Sequence, residues 1–458
     1  MTKPSCTAVI LAAGKGTRMK STLPKVLHKI GGKAMVQHVL DAATDAGATL
    51  NIVVIGFGAD EVQQALAGQA EFVVQQEQLG TGHAVLQAVP LLTAESKTVM
   101  VLCGDTPLLT HELLSKLLAA HEEQVAQATV LTATMPDATG YGRVVRDETG
   151  QVLKIVEQKD ASQDELAIKE VNTGIYCFDQ QVLLSTLREL TCDNAQGEYY
   201  LTDVISILVK GGMKVAAVSA EDYQETLGIN SRSQLAEAEL ILRRRKLKEL
   251  MDQGVTIMDV NSTFIDESVT IGTDTVIYPF TWIEGNTKIG SHCEIGPNSR
   301  IQNSQIASGV IFHFSYAHEV VIEENVIVGP YVHLRPNTHL SSGVKVGNFV
   351  EVKNSMIGKG SKLPHLSYIG DTDMGERVNI GSGTITVNYD GVHKHRTTIE
   401  DDAFIGCNAN LVAPVVVERG AYVAAGSTIT KNVPAQALGV ARARQNNLAG
   451  WVDRIKNK

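Results

Sequence analysis

Apolar positions follow two different rhythms along the chain. In the first half short unbroken runs recur: Ala8-Val9-Ile10-Leu11-Ala12, Ile52-Val53-Val54-Ile55, Phe72-Val73-Val74 and Val99-Met100-Val101-Leu102. Runs of this length that do not alternate predict strands buried on both faces. Separated by helical stretches, they predict an α/β domain over residues 1–230, built on a mostly parallel sheet. Residues 33–47 and 110–124 are read as two of its helices.

Residues 231–252 read as one helix, capped by Ser231 and stopped by Gly254. Leu235, Ala238, Leu242, Leu247 and Leu250 give it a narrow, imperfect apolar stripe. A helix that is polar over most of its surface bridges domains, so this one is read as a linker. Its basic run, Arg243-Arg244-Arg245-Lys246-Leu247-Lys248, is read as a solvated face.

After residue 260 the spacing becomes six. Ile265, Ile271, Ile277, Ile283, Ile289, Ile295 and Ile301 form one series. It resumes at Ile322, Val328, Leu334, Leu340, Val346 and Val352, and again at Ile399, Ile405, Leu411, Val417, Val423 and Ile429. Neither the helix period nor the strand period produces this spacing, whereas a parallel β-helix does, with one inward aliphatic residue per side of each coil. Residues 253–458 are therefore read as a hexapeptide solenoid. Phase breaks at 302–321 and 382–398 are expected to loop out and to carry binding residues.

Composition narrows the function. The formal net charge of -10 argues against a nucleic-acid binder, which must neutralise phosphates. Six scattered cysteines without a CxxC pair suggest neither a disulfide framework nor a zinc site. The apolar stretch Val9–Ala13 is too short for a secretion signal, and no run approaches a membrane span. A soluble cytoplasmic protein is the expectation.

The first strand runs into Gly14-Lys15-Gly16-Thr17-Arg18, followed by Pro24-Lys25. Glycines let a backbone approach phosphates closely, and Lys15, Arg18 and Lys25 add positive charge. Asp105 closes the strand Val99–Leu102, at the end where open α/β sheets bind ligands. This set resembles the sugar-phosphate nucleotidyltransferases, which have a Rossmann-like fold. The resemblance implies that Leu11, Ala12, Ala13, Gly14, Gln75, Gly80 and Thr81 surround a uridine, with Cys103 and Gly104 alongside. It makes Arg18 and Lys25 the catalytic cations and Asp105 and Asn230 the ligands of magnesium. Gly142, Glu157 and Asn172 become sugar contacts. The implied reaction is in-line attack of a sugar 1-phosphate on the α-phosphorus of UTP, releasing pyrophosphate.

Hexapeptide coils resemble the left-handed β-helices of acyltransferases that use coenzyme-A thioesters and are usually trimers. Three segments follow one another here: Tyr331-Val332-His333-Leu334-Arg335-Pro336, Gly347-Asn348-Phe349-Val350-Glu351-Val352-Lys353 and His365-Leu366-Ser367-Tyr368. With Asn379, Asn388-Tyr389-Asp390-Gly391 and Arg442 they resemble the bifunctional family that acetylates glucosamine 1-phosphate and then uridylylates the product. Across nearly the whole chain, the resemblance implies synthesis of UDP-N-acetylglucosamine, which feeds peptidoglycan and lipopolysaccharide. It makes His365 the general base, and Arg335, Lys353, Tyr368 and Asn379 the binders of the sugar phosphate. Ser382, Asn388, Tyr389, Cys407, Ala425 and Arg442 would meet acetyl-CoA. Three positions depart from the family pattern: Pro364 replaces a glycine, Ser382 an alanine and Cys407 a serine. An enzyme with one activity and an assembling solenoid is the main alternative, and a purely structural solenoid the second. His365 with Arg335 and Lys353 argues against the one, and Lys25 with Asp105 against the other.

Overall fold

A computed structural model describes residues 5–456, which form two compact units that divide between Leu242 and Arg243. The first unit carries the strands β1 (Ser5–Ala12), β2 (Ala48–Ile55), β3 (Glu71–Val74), β4 (Ser96–Cys103), β5 (Ala128–Thr134), β6 (Glu170–Asp179) and β7 (Val215–Ser219). Their order in the sheet is β7-β5-β6-β4-β1-β2-β3. β1 pairs in parallel with β2 and β4, while β6 runs antiparallel to β4 and β5.

The unbroken apolar runs have a direct cause in this layering. Successive side chains of a strand point to opposite faces, and here both faces are covered. Ala8, Ile10, Val53, Ile55, Met100 and Leu102 pack with the helices Met35–Asp45 and His111–Glu123. Val9, Ile52, Val54, Val99 and Val101 pack on the other side with the helix Thr81–Ala88. The Thr110 hydroxyl accepts from Leu113 N and caps the helix that begins at His111.

The second unit is a left-handed parallel β-helix. Ile265 stands in register with Ile283, and Ile283 with Ile301, so each aliphatic residue stacks on the one a coil away. The predicted inward residues fill one continuous core from Leu247 to Val433.

The segment 302–321 does not loop out. Ile301, Ile306, Phe312, Ala317 and Ile322 all point inward and are buried, so three of these four sides are simply one residue short. A corner lost one residue at a time keeps the parallel pairing, as Arg300–Tyr316 and Gln305–Val321 show. Within 382–398 the strand Ile385–Val387 also stays in the coil, and the excursion is confined to residues 389–396.

The helix Arg232–Asp252 joins two cores. Ala238 and Leu242 pack with Ile30, Met35, Leu108 and Ile229, while Leu247 and Leu250 pack on the coil. Its basic run is not uniformly solvated. Arg243 lies 4.4 Å above the Phe264 ring and Lys246 is buried, because this side of the helix lies on the aliphatic end of the coil.

Candidate functional site

β1 ends at Ala12, and the chain turns through Gly14 and Gly16 into the single helical turn Thr17–Met19. Gly16 has φ +58, and a Cβ there would stand 2.5 Å from Lys25 Cβ. Glycine is therefore what lets the Lys25 stem lie against the loop. Lys25 Nζ contacts the Asp105 carboxylate and donates to Asn230 Oδ1 at 3.0 Å. The Asp105 carbonyl accepts from Ile229 N at 2.9 Å, which brings Asn230 alongside. Two oxygen donors thus converge on one positive charge. Carboxylate and amide oxygens suit a hard divalent metal, which takes its remaining ligands from phosphate and water, so Asp105 and Asn230 fit one. Among the described residues no group of three or more His, Cys, Asp or Glu forms a metal cage.

A cavity of about 260 Å³ is lined by Leu11, Ala12, Ala13, Gly14, Lys25, Gln75, Gly80, Thr81, Cys103 and Asp105. A second, of about 210 Å³, shares Leu11, Thr81 and Cys103 and adds Gly142, Glu157 and Asn172. Gly104 lies behind the first, its N–H bonded to the Leu11 carbonyl at 2.9 Å. Arg18 is exposed and lines neither cavity. Burial, and next the Asp105 charge, push the Cys103 thiol up to about 12, so it stays a neutral wall. Burial also raises the Glu157 carboxyl; the Thr202 hydroxyl at 3.3 Å opposes this, and Asp160, Asp203 and Glu198 add to it.

On the β-helix, the strand Lys362–Gly370 carries His365 and Tyr368. His365 is in register with Asn348, and its Nδ1 lies 2.7 Å from Asn348 Oδ1. An amide oxygen only accepts, so Nδ1 carries the ring proton and Nε2 is left as the basic nitrogen. Backbone bonds from Gly383 N to Leu366 O, Asn408 N to Ser382 O and Gly426 N to Cys407 O stack His365, Ser382, Cys407 and Ala425 along one corner. Arg442 passes beside Gly426 at its end.

Lys353, Tyr368 and Asn388 come together through a residue that the sequence did not single out. Asp371 is buried, accepts from the Asn354 and Asn388 side-chain amides, and lies 3.7 Å from Lys353 Nζ. Burial alone would raise its carboxyl, but those two amides together with Lys353 and Lys394 hold it below the ordinary value. Asn388 Nδ2 also lies 3.4 Å from the Tyr368 hydroxyl, and both crowd Gly370, where a Cβ would stand 2.5 Å from that oxygen. Arg335 is held by Glu351 at 2.8 Å. Tyr389 stands in the excursion, its hydroxyl on Gly391 O. Asn379 is in register with Lys362 and Phe404 on the neighbouring face, and among the described residues no hydrogen bond joins its side chain to Lys353 or Tyr368. Pro364 packs its carbonyl over Gly347.

Asn348 and Asp371 are the residues that motif reading missed. The available signal was the coil height: Asn348 precedes His365 by 17 residues, one turn of this coil.

The corner that carries His365, Cys407 and Ala425 is exposed. On earlier coils a groove of about 720 Å³ is lined by Trp282, Arg300, Tyr316, Tyr331, His333, Phe349 and Glu351, among others.

The nucleotidyl transferase family model matches residues 7–254. The bacterial transferase hexapeptide model (six repeats) matches residues 268–303, 319–354 and 396–431. Relatives named "Bifunctional protein GlmU" align along nearly the full length. That of Geobacillus thermodenitrificans is 55% identical over 451 residues, covering 98% of both chains. That of Heliobacterium modesticaldum is 56% identical over 438 residues, 96% of both, and that of Alkaliphilus metalliredigens 49% over 447, 98% of both. With both halves matched in one chain and in this order, the protein belongs to the GlmU family of bifunctional proteins.

Proposed function

We propose that the paired cavities beside Lys25 hold UTP and the sugar 1-phosphate, and that the open face around His365 holds glucosamine 1-phosphate and acetyl-CoA. The chain is a bifunctional transferase of UDP-N-acetylglucosamine synthesis. It transfers acetyl to glucosamine 1-phosphate and uridylyl from UTP to N-acetylglucosamine 1-phosphate. The observation that supports the placement is that Lys25 and Asp105 meet on the wall of one cavity, with Asn230 bonded to the same Lys25 ammonium.

In uridylyl transfer a sugar-phosphate oxygen is already a nucleophile, so positioning and charge neutralisation suffice. Lys25 and Arg18 offset charge on the triphosphate, Leu11–Gly14, Gln75, Gly80 and Thr81 seat the nucleotide, and Gly142, Glu157 and Asn172 seat the sugar. Nucleotidyltransferases of this kind use a divalent metal. Magnesium is the ion assigned to Asp105 and Asn230, where it would neutralise phosphate charge.

In acetyl transfer His365 Nε2 takes the proton of the attacking amine, while Asn348 keeps Nδ1 protonated. Arg335 and Lys353 hold the sugar phosphate, with Tyr368 and Asn379 beside them. Ser382, Asn388, Tyr389, Cys407, Ala425 and Arg442 meet the thioester. Because His365, Tyr389, Cys407, Ala425 and Arg442 are exposed, a homotrimer built through the β-helix is part of the proposal, each copy closing its neighbour's site. Six free cysteines support a cytoplasmic location, and no helix among the described residues is long and apolar enough to cross a membrane.

The test is one vessel containing glucosamine 1-phosphate, acetyl-CoA, UTP and magnesium. The expected result is UDP-N-acetylglucosamine with CoA and pyrophosphate released in equal amounts. Pyrophosphate release without CoA release would leave only the single-activity reading.

A further inference from the structure

Gln75 follows β3 directly, and its backbone N–H bonds to Ile55 O at 2.8 Å, continuing the sheet pairing. Its side chain is almost fully buried in the wall of the first cavity. The amide nitrogen lies 3.1 Å from Gly80 O and 3.1 Å from His83 Nδ1. A carbonyl oxygen only accepts, so the nitrogen end of the amide must face Gly80. The second N–H of that nitrogen then meets His83, whose Nδ1 must be bare. Among the described residues nothing donates to Gln75 Oε1, and it is not one of the sealed polar atoms that lack a partner. Oε1 is the end that the cavity meets.

His83 itself lines neither cavity. It is the third residue of the helix Thr81–Ala88, against the Tyr199 ring at a centroid distance of 6.5 Å. Gln87, one turn on, places its amide nitrogen 3.0 Å from His83 Nε2. Gln87 Nε2 also lies 3.3 Å from the His83 carbonyl; with Nδ1 bare the ring proton sits on Nε2, and Gln87 accepts it with its amide turned over, giving up that longer contact.

We infer that His83 is a positioning residue that locks the Gln75 amide with its oxygen toward the nucleotide base, and so selects uracil over cytosine. The inference rests on the reading that this cavity takes the base. An acceptor held there needs an N–H opposite it. The ring nitrogen on the pairing edge of uracil carries a hydrogen, whereas that of cytosine is a bare acceptor. A Gln amide free to turn over would serve either base by exchanging its two ends. Discrimination therefore depends on what prevents the turn, and two acceptors hold the nitrogen end: Gly80 O and His83 Nδ1.

The experiment measures kcat/KM for UTP and for CTP, with N-acetylglucosamine 1-phosphate, in the full chain. His83→Leu fills the ring's volume without an acceptor, and the UTP-to-CTP ratio is expected to fall about tenfold, the usual effect of one hydrogen bond. His83→Asn sets an amide oxygen where Nδ1 stood and should restore most of the ratio. Gln75→Leu removes the selecting group and should lower the ratio at least as far. An unchanged unfolding midpoint of the first unit in the same preparations reports that it is folded. An unchanged ratio in His83→Leu beside a collapsed one in Gln75→Leu would overturn the role of His83 alone. Unchanged ratios in both would overturn the base-site reading and the inference with it. Equal losses on UTP and CTP that Asn does not rescue would reduce His83 to a structural support.

Discussion

Glu157 lines the second of the two cavities with its proton held more tightly than usual. A carboxyl raised on folding binds more proton in the native state than in the unfolded one. Stability therefore falls as pH rises from the ordinary value of 4.5 through the raised one, and the full penalty applies above it. Glu157→Gln should raise the unfolding midpoint of the first unit at about pH 7 and leave it unchanged at about pH 3, where the carboxyl is neutral in both the folded and the unfolded chain. Urea titrations at the two pH values check this, and an equal gain at both would place the effect in packing. His365 tests chemistry instead. His365→Ala should lower kcat for acetylation about 10²–10⁴-fold with KM for glucosamine 1-phosphate little changed, because proton removal belongs to the transition state. A raised KM at unchanged kcat would make His365 a binding residue. Lys25, Asp105 and His365, whose roles are proposed here, stand out in local motifs because their side chains carry obvious chemistry. Asn348 and Asp371 do not, because an Asn or Asp at a solenoid corner reads as a turn residue. Only coil stacking shows Asn348 beneath His365 and Asp371 beneath Asn388.

The helix Arg232–Asp252 shows how an element read as a connector contributes to a core. Its first half buries Ala238 and Leu242, its Glu239 carboxylate accepts from Gly31 N at 2.8 Å, and Arg232 donates to Met19 O at 3.2 Å. A fragment of residues 1–252 should keep uridylyl transfer. One ending at residue 230 should catalyse the same reaction when folded but melt earlier. Burial of a leucine and an alanine is worth about 3 kcal/mol, which corresponds to roughly 6–12 °C for a unit of this size. Calorimetry on the two fragments decides, and equal midpoints would show that the first half of the helix adds nothing. The apolar pattern foretold this helix, the two-sided sheet and the hexapeptide ladder, because each buries a regular set of positions. It failed at 302–321, where Phe312 and Ala317 take inward places at irregular spacing, so a coil with shortened sides resembled an insertion.

The face of the β-helix carries a stripe of exposed rings at its corner. Phe280, Phe314, Tyr331 and Phe349 hold left-handed backbone conformations, φ +47 to +61; the Phe314 ring is tilted against Tyr331 at 5.9 Å, and Tyr331 stacks on Phe349 at 5.5 Å. Bulky residues rarely adopt such conformations, and exposed rings in a row mark a contact surface. If the proposed trimer forms through this face, Tyr331→Glu is expected to give monomers in light scattering and to remove acetyl transfer while sparing uridylyl transfer. A monomeric wild type with full acetyl transfer would refute the shared site. The central claim is that one chain carries two independent transferase sites, one on each unit. The most direct measurement is the rate of CoA release and the rate of pyrophosphate release, taken side by side for wild type, Asp105→Ala and His365→Ala. The account predicts that Asp105→Ala loses pyrophosphate release alone and that His365→Ala loses CoA release alone. A folded single variant that loses both activities to the same degree would contradict it.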